Sequence, residues 1–325
     1  FANRITETDS INILDYEYVY NGGGVGVADF NGDGLPDVYF SGNQVANRLY
    51  LNKGDFKFED ITEKSGATGG GKWCSGVALV DINADGRMDI YVGATTYNDS
   101  LRRENLLYVN QGNGPDGVPT FRELARAYGI ADNGYTTNAA FFDYDNDGDL
   151  DLYVLTDAIT NYPSTYREKI RDGSSPSTGR LYRADWDEAK GHPVFTNVTR
   201  QARMTTEGYG LGVNICDLNR DGYKDIYVTN DFVSNDLLWI NNGDGTFTDR
   251  AAEYFKHLSN SAMGNDVTDL NNDGLADVVV LDMMPGLNGR KKQLVGPNNY
   301  QTYQNSLLYG YIFEYPRNTV QLNMG

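Results

Sequence analysis

Five short stretches of this 325-residue sequence carry carboxylates at a spacing that suits metal binding. The first, DFNGDGLPD at residues 29–37, places acidic or amide side chains at positions 1, 3, 5 and 9 around a glycine at position 6. Like charges this close repel one another, so a turn that gathers them loses stability unless a cation lies among them. The pattern returns as DINADGRMD (81–89), DYDNDGDLD (143–151), DLNRDGYKD (217–225) and DLNNDGLAD (269–277).

The side-chain oxygens of positions 1, 3, 5 and 9 and the backbone carbonyl of position 7 form a ligand set typical of Ca²⁺, a hard cation with flexible coordination. Glycine at position 6 permits the sharp turn. We therefore predict about five calcium ions, one in each loop. The predicted ligands are Asp29, Asn31, Asp33, Leu35, Asp37, Asp81, Asn83, Asp85, Arg87, Asp89, Asp143, Asp145, Asp147, Asp149, Asp151, Asp217, Asn219, Asp221, Tyr223, Asp225, Asp269, Asn271, Asp273, Leu275 and Asp277.

Two other structures share part of the loop pattern, an EF-hand and a turn that binds no metal. An EF-hand begins with the same pattern, but it needs a glutamate at position 12 and a helix on each side. Position 12 is Phe40 in the first loop and a valine in the other four, inside a run rich in β-branched residues, so the EF-hand is excluded. A solvated Asp/Asn/Gly turn that binds no metal is the remaining alternative.

The charge balance follows from the same loops. Acidic residues number 45 against 27 basic ones, and 17 of the acids lie in the five loops, so the rest of the chain is nearly neutral. The low pI is therefore no sign of an acidic tail. The chain has no basic region suited to nucleic acid and no run of about 18 apolar residues that would span a membrane. It begins at Phe1 without a signal peptide, as expected of a processed piece of a longer protein.

The residues available for catalysis are few. Cys74 and Cys216 hold different positions in non-neighbouring repeats and are expected to be unpaired thiols. His192 and His257 are the only histidines, too few for a histidine-ligated zinc site and poorly placed for a hydrolase triad. These features favour a non-catalytic binding or scaffold module. The alternative is a glycan-active enzyme, a polysaccharide lyase or glycosidase, which would need a carboxylate pair outside the loops.

The sequence repeats over longer stretches as well. A short strand precedes each loop, a β-branched or aromatic strand follows it (VYF, IYV, LYV, IYV, VVV), a third strand comes next, and a fourth begins with phenylalanine. Four strands per repeat are typical of a blade in an all-β β-propeller. Because the opening FANRITE resembles a fourth strand, we predict a single domain in which strand D leads strands A, B and C. The five repeats then span about 1–54, 55–114, 115–184, 185–243 and 244–325.

This blade pattern resembles the FG-GAP or VCBS repeat of integrin α-subunit propellers. The stretches YNGGGVGVADFNGDGLPDVYFSGNQVANRLYLN, LDMMPG and GPNNYQTYQ with RNTVQLN are similar to the Bacteroidota branch of the cartilage-acidic-protein (ASPIC/UnbV) family. The resemblance implies Ca²⁺ in the loops and a seven-bladed ring of which these five repeats are part. It also implies an extracellular or cell-surface location, with a lipid anchor in the outer membrane and a role as accessory lipoprotein in an outer-membrane complex.

A partner surface is expected at the end of the blades opposite the calcium loops, where strands B and C are joined. Two of these B to C connections are long, residues 156–180 and 283–317, and the second contains Arg290, Tyr300 and Tyr303. Long connections in a compact fold are usually functional, so we predict contact with a protein or glycan at the cell surface.

Three further aromatic residues recur at one repeat position. Trp73, Tyr135 and Tyr209 each lie eight residues before the first loop aspartate and are predicted near the central axis. There each ring would either stack on a sugar or pack between neighbouring blades.

Overall fold

The structure, a computed structural model, describes residues 1–158, 166–231, 233–293 and 300–325. Its regular structure is mostly antiparallel β-sheet, and the first four sheets each contain four strands in chain order. The first contains β1 (Val25–Ala28), β2 (Asp37–Phe40), β3 (Arg48–Asn52) and β4 (Phe58–Asp60). The second contains β5 (Cys74–Val80), β6 (Asp89–Ala94), β7 (Leu106–Asn113) and β8 (Pro119–Glu123). The third contains β9 (Thr136–Phe142), β10 (Asp151–Thr156), β11 (Arg180–Asp187) and β12 (His192–Asn197). The fourth contains β13 (Gly210–Cys216), β14 (Asp225–Asn230), β15 (Leu237–Asn241) and β16 (Phe247–Asp249).

The last part of the chain forms two smaller sheets. Strands β17 (Leu258–Ser259) and β20 (Glu314–Tyr315) pair in parallel. The fifth sheet contains β18 (Ala262–Thr268), β19 (Asp277–Asp282) and β21 (Thr319–Gln321). In the described part of the chain this sheet has three strands, which match strands A, B and C of the other four.

Helices are short and lie between the strands. One-turn helices follow the fourth strands of the first, second and fourth sheets: α1 (Thr62–Ser65), α2 (Ala125–Tyr128) and α3 (Ala251–Tyr254). A 3-10 helix, Ser100–Arg103, lies between β6 and β7. Between β19 and β21 the chain forms α4 (Asn288–Gln293) and α5 (Tyr300–Leu308).

The fourth strand of each of the first four sheets lies at the start of the next predicted repeat. Each fourth strand pairs with the third strand that precedes it in sequence, so each of these sheets contains strands A, B, C and D in that order. Residues 1–7, all described, form no strand, and the prediction that FANRITE is a fourth strand is wrong. The first residues instead use side chains: Asn3 Nδ2 donates to Asn43 Oδ1 (2.5 Å), and Phe1 stacks on Phe40.

The described residues form two compact units. The first contains Phe1–Phe141, Asp149–Val154 and Tyr182–Asn197, and the second contains the other described residues. That the five repeats form one domain stays a prediction.

The core of each unit lies between successive sheets. Strands β6, β10 and β14 are buried at every position, which agrees with their continuous apolar runs rather than an alternating pattern. In the first unit one cluster joins residues of the first two sheets, among them Tyr39, Leu49 and Ile90. In the second unit Tyr227 and Val278 belong to the equivalent cluster of the fourth and fifth sheets.

A tyrosine in the second strand links the sheet to the chain around it. The Tyr91 hydroxyl accepts a hydrogen bond from Asn105 Nδ2 (2.8 Å) and donates one to the Ile130 carbonyl (3.1 Å). Tyr39 repeats the arrangement with Asn47 (2.7 Å) and the carbonyl of residue 67 (3.2 Å). The side chains are fully buried, so each hydroxyl must find its partners within the protein.

We expect Tyr91→Phe to destabilise the folded protein by about 1–2 kcal/mol, because the buried Ile130 carbonyl loses its donor. Chemical denaturation in a fixed calcium concentration measures the change. Tyr50→Phe, at a partly exposed position of β3, is the matched control and should change the free energy of unfolding by less than about 0.5 kcal/mol. Equal effects of the two substitutions would contradict the role assigned to the Tyr91 hydroxyl.

Candidate functional site

All five acidic loops connect the first and second strands of their sheets, as predicted. Position 1 follows directly after strand A, and position 9 is the first residue of strand B. The loops are thus A to B hairpins, and their acidic residues lie at one end of each sheet. The B to C connections leave from the other end.

The backbone of each loop turns left-handed twice. The predicted glycine at position 6 has φ between 82° and 98° in all five loops. Position 4 also has a positive φ, although four of its five residues are not glycine: Gly32, Ala84, Asn146, Arg220 and Asn272. Sequence reasoning missed position 4, because residues of four types occupy it and only the loop geometry requires this conformation.

Hydrogen bonds within the loop gather its carboxylates even without a metal. In the first loop Asp29 Oδ1 accepts from the Asp33 N–H (3.1 Å) and Asp29 Oδ2 from the Gly34 N–H (2.7 Å). Asn31 Nδ2 donates to Asp33 Oδ2 (3.0 Å). This bond and a second one from the Leu35 N–H lower the pKa of Asp33. The second, fourth and fifth loops repeat these bonds, so their carboxylates are gathered in the same way.

Position 9 has a different environment from the other acids. Asp37, Asp89, Asp151, Asp225 and Asp277 are all 0% exposed. In the second loop Asp89 Oδ2 accepts from the Ile82 N–H (3.0 Å) and Asp89 Oδ1 from the Asn110 N–H in strand C (2.7 Å). Burial raises the pKa of Asp89 to about 7 and that of Asp225 to about 6. Position 9 therefore closes the hairpin and joins it to strand C. Its role as a metal ligand stays a prediction.

The third loop has the highest charge of the five and a buried carboxylate oxygen without a hydrogen-bond donor. Carboxylate oxygens of Asp143, Asp145 and Asp151 lie within 4.8 Å of one another. Asp143 Oδ2 accepts from the Gly148 N–H (3.0 Å), whereas its buried Oδ1 has no hydrogen-bond donor. Position 3 is an aspartate here and cannot donate to position 5 as an asparagine does. Such a donor set fits a divalent cation.

The second loop contains a cation of its own. The Arg87 guanidinium pairs with Asp85 Oδ2, and Arg87 Nε donates to the Asn110 carbonyl (3.2 Å). Arg87 is the residue whose carbonyl was predicted as a ligand, and its side chain would compete with a bound cation for Asp85.

We expect Arg87→Ala to raise the calcium affinity of the second loop by up to about fivefold, the range of a partly exposed ion pair. Hydrogen exchange of residues 81–89 during a calcium titration would report the midpoint. Lys64→Ala removes the same charge at an exposed pair with Asp116 and should leave this midpoint unchanged. An unchanged midpoint in Arg87→Ala would show that the guanidinium does not compete.

Both long insertions join strands B and C, as predicted, and they contact each other in the second unit. The Tyr166 hydroxyl donates to Glu314 Oε2 (2.9 Å), and the Tyr311 hydroxyl donates to the Arg167 carbonyl (2.9 Å). The Tyr166 and Tyr311 rings meet edge to face at 4.7 Å. Residues 159–165 and 294–299 of the insertions lie outside the described residues.

A polar network lies beneath these rings. Arg167 forms a two-pronged ion pair with Glu207 (2.7 and 2.9 Å), and Lys169 Nζ donates to Asn235 Oδ1 (2.7 Å). Desolvation lowers the pKa of Lys169 to about 8 and raises that of Glu314. The sequence carried no signal for these pairs, since their members lie tens of residues apart in the chain.

The predicted partner residues of the second insertion lie on the surface. Arg290 on α4 is exposed, and the Tyr300 side chain on α5 is 78% exposed. Tyr303 is 38% exposed and stacks on Phe313 with ring centroids 6.5 Å apart. These side chains are accessible to a partner.

The three aromatic residues predicted near the axis differ from one another. Trp73 is buried between the rings of Tyr16 and Tyr97 and has no free face for a sugar. Tyr209 is also buried and packs in a cluster with Tyr166 and Tyr311, again without a free face. These two rings thus pack against other side chains. They do not offer a face on which a sugar could stack.

The third of these rings has a cationic neighbour. Tyr135 is partly exposed, and the Arg103 guanidinium covers its ring at 4.2 Å. One face of this ring is therefore occupied by the guanidinium.

Other predictions from sequence can be checked directly. Cys74 and Cys216 are free thiols, as predicted, and burial raises the pKa of each to about 12. Within the described residues no helix is both long and apolar enough to cross a membrane.

The chain was then compared with known proteins. A model of the FG-GAP-like repeat matches residues 18–92, 94–154 and 217–280, more than half of the chain. Cartilage acidic protein 1 of Xenopus tropicalis is 28% identical over 212 residues, which are 65% of this chain and 29% of that protein. Integrin alpha pat-2 of Caenorhabditis elegans is 33% identical over 89 residues, 26% of this chain and 7% of that protein. The chain thus spans less than a third of the length of these relatives.

Among solved structures, a lectin of Agrocybe aegerita that recognises non-reducing terminal N-acetylglucosamine superposes with a TM-score of 0.45. It is 18% identical, and the match covers 79% of this chain and 60% of the lectin.

The predicted fold class, all-β with four-stranded β-propeller blades, is confirmed by the sheets and the repeat match. The number of blades in a complete ring and the Bacteroidota branch stay predictions.

Proposed function

Because the chain belongs to the FG-GAP-like repeat family, we propose that it is a non-catalytic binding module stabilised by calcium at its A to B hairpins. A partner contacts the B to C insertions at the other end of the sheets. The observation that carries the metal proposal is the third loop, where Asp143 Oδ1 is buried without a donor beside the carboxylates of Asp145 and Asp151. A turn without metal would leave this oxygen unsatisfied.

The loops would hold Ca²⁺ through the oxygens of positions 1, 3 and 5 and the carbonyl of position 7, with position 9 contributing from the strand. The ion would supply positive charge that offsets the repulsion among the three or more carboxylates of each loop. The third loop has an aspartate at all five predicted ligand positions, so it should depend most on the ion. Affinity in such loops rises with the number of charged ligands.

We expect chelation of Ca²⁺ to lower the melting temperature and to release amide protection first in residues 143–151, where charge repulsion is greatest. Differential scanning fluorimetry with and without chelator, followed by hydrogen exchange, would measure both effects. Asp147→Ala should remove most of the calcium dependence of the third loop, whereas Asp9→Ala at an exposed position outside the loops should change nothing. A melting curve that excess chelator leaves unchanged would disprove a structural role for calcium.

The partner is proposed to be a protein or glycan that contacts α4 and α5. Tyrosine offers a large apolar ring with a hydrogen-bonding tip, and arginine offers planar donors, which is why both dominate binding hot spots. Three basic residues in succession, Arg290, Lys291 and Lys292, lie on α4, whereas the A to B hairpins are strongly acidic. The two ends of a sheet therefore differ in chemistry. The B to C end, which is basic and aromatic, is better suited to bind a partner than the acidic A to B hairpins are.

The protein is proposed to work outside the cell. Loops built from several carboxylates with modest rigidity suit the millimolar calcium found there. Its resemblance to the Bacteroidota branch of the cartilage-acidic-protein family supports a lipid-anchored accessory role in an outer-membrane complex.

We expect the triple change of Arg290, Tyr300 and Tyr303 to alanine to abolish partner binding while the calcium-dependent melting curve stays as in the wild type. Binding would be measured on a glycan microarray and by pull-down of surface-biotinylated proteins. Phe56→Ala removes an aromatic ring that is 95% exposed in the turn between β3 and β4, and serves as the matched control. Equal binding by the triple variant and the wild type would place the partner surface elsewhere.

A further inference from the structure

An asparagine at the end of strand C joins two neighbouring loops. The Asn110 N–H donates to Asp89 Oδ1, position 9 of the second loop (2.7 Å). Its side-chain Nδ2 donates to the carbonyl of Phe30, position 2 of the first loop (2.9 Å), and to that of Met88 in its own loop (3.3 Å). Asn110 is 0% exposed, so these bonds have no competition from water.

The second unit repeats this arrangement twice. Asn241 donates its N–H to Asp225 Oδ1 (2.9 Å) and its Nδ2 to the carbonyl of Tyr144, position 2 of the third loop (2.7 Å). Asn323 donates its N–H to Asp277 Oδ1 (2.8 Å) and its Nδ2 to the carbonyl of Leu218, position 2 of the fourth loop (3.1 Å). The same atoms are used each time.

Two sheets depart from the arrangement and show what it requires. In the described chain Asn52 donates its N–H to Asp37 Oδ1 (2.8 Å) and its Nδ2 to the Pro36 carbonyl (2.9 Å), so both bonds stay within its own loop. In the third sheet Ala184 holds this position. Its N–H donates to Asp151 Oδ1 (2.9 Å), but alanine has no amide that could reach a second loop.

We propose that Asn110, Asn241 and Asn323 are positioning residues that couple calcium binding between neighbouring loops. The inference rests on the proposed calcium sites. Position 2 lies between two predicted ligands, so an ion that orders positions 1 and 3 also fixes the carbonyl between them. The asparagine held by this carbonyl donates its N–H to position 9 of the next loop and so orders part of that loop. The next loop then loses less conformational entropy when it binds its own ion.

The coupling has a defined extent along the chain. It joins the first loop to the second, and the third loop to the fourth and the fifth. It stops between the second and third loops, because Ala184 cannot form the link. Coupling between sites is reciprocal, so removal of either ion of a pair weakens binding of the other by the same factor.

The test is a double-mutant cycle on the first unit. Asp85→Ala removes the metal from the second loop, and hydrogen exchange of residues 29–37 during a calcium titration measures the midpoint of the first loop. In the otherwise wild-type chain this midpoint should rise by about three- to tenfold, the factor that one hydrogen bond is worth. In the Asn110→Ala background the same change should shift it by less than about twofold.

Matched variants separate the link from its local structural effects. Asn52→Ala removes the equivalent local bonds of the first sheet, from Asn52 Nδ2 to the Pro36 carbonyl and from the Gly54 N–H to Asn52 Oδ1, but no link between loops. The shift caused by Asp85→Ala should therefore stay the same in this background. The midpoint of residues 143–151 should not respond to Asp85→Ala. If Asn110→Ala does not fold, Asn323→Ala at a partly exposed position gives the same test with Asp273→Ala and residues 217–225.

The outcomes distinguish the two proposals. If no loop of the wild-type chain gains protection with calcium, the proposed calcium function fails. If calcium protects the loops but Asp85→Ala leaves the first-loop midpoint in place, or shifts it equally with and without Asn110, the asparagine link is overturned.

Discussion

The buried aspartate at the start of every second strand is the interaction on which the rest of the structure depends. Two of its hydrogen bonds do different work: one closes the A to B hairpin at position 2, and the other holds strand C in register. A buried carboxylate is stable only when donors satisfy it. Since the donors are backbone N–H groups of the loop and of strand C, this carboxylate holds both segments to strand B.

Because of this constraint, the A to B end of each sheet has a fixed length, whereas the B to C end can vary. At the A to B end, nine residues are occupied by charge, turn and hairpin closure, and their length does not vary among the five loops. At the B to C end nothing comparable limits the chain. Short connections and insertions such as 156–180 and 283–317 occur there, because strands B and C are already aligned at their other ends. Functional variation is therefore easiest at the B to C end.

The loops are also not independent of one another. An isolated acidic hairpin would bind an ion as a local event. Here the amide of Asn110 contacts the carbonyl of Phe30, so the order of one loop affects the next. Where Ala184 replaces the asparagine, the third sheet keeps the bond to Asp151 and loses the link. A single side chain thus sets how far order spreads along the repeats.

The sequence by itself determined the repeat, the loops and the class of fold. These features follow from local rules: alternate acids around glycine specify the turn, and continuous apolar runs such as IYV specify strands covered on both faces. It also located the loops between strands A and B and left Cys74 and Cys216 unpaired. All of these inferences depend on residues within about one repeat of each other.

Only the tertiary structure decided how distant segments use their side chains. FANRITE has the residue types of a fourth strand, yet its residues form no strand, and Asn3 and Phe1 contact Asn43 and Phe40 through their side chains. Trp73 has the repeat position of an exposed ring, yet the rings of Tyr16 and Tyr97 cover it. Asp89 is a predicted ligand by its spacing, and only the structure shows that it is also buried against the N–H groups of Ile82 and Asn110, where it closes its hairpin. In each case the outcome depends on partners far away in sequence, and local residue patterns carry no information about them.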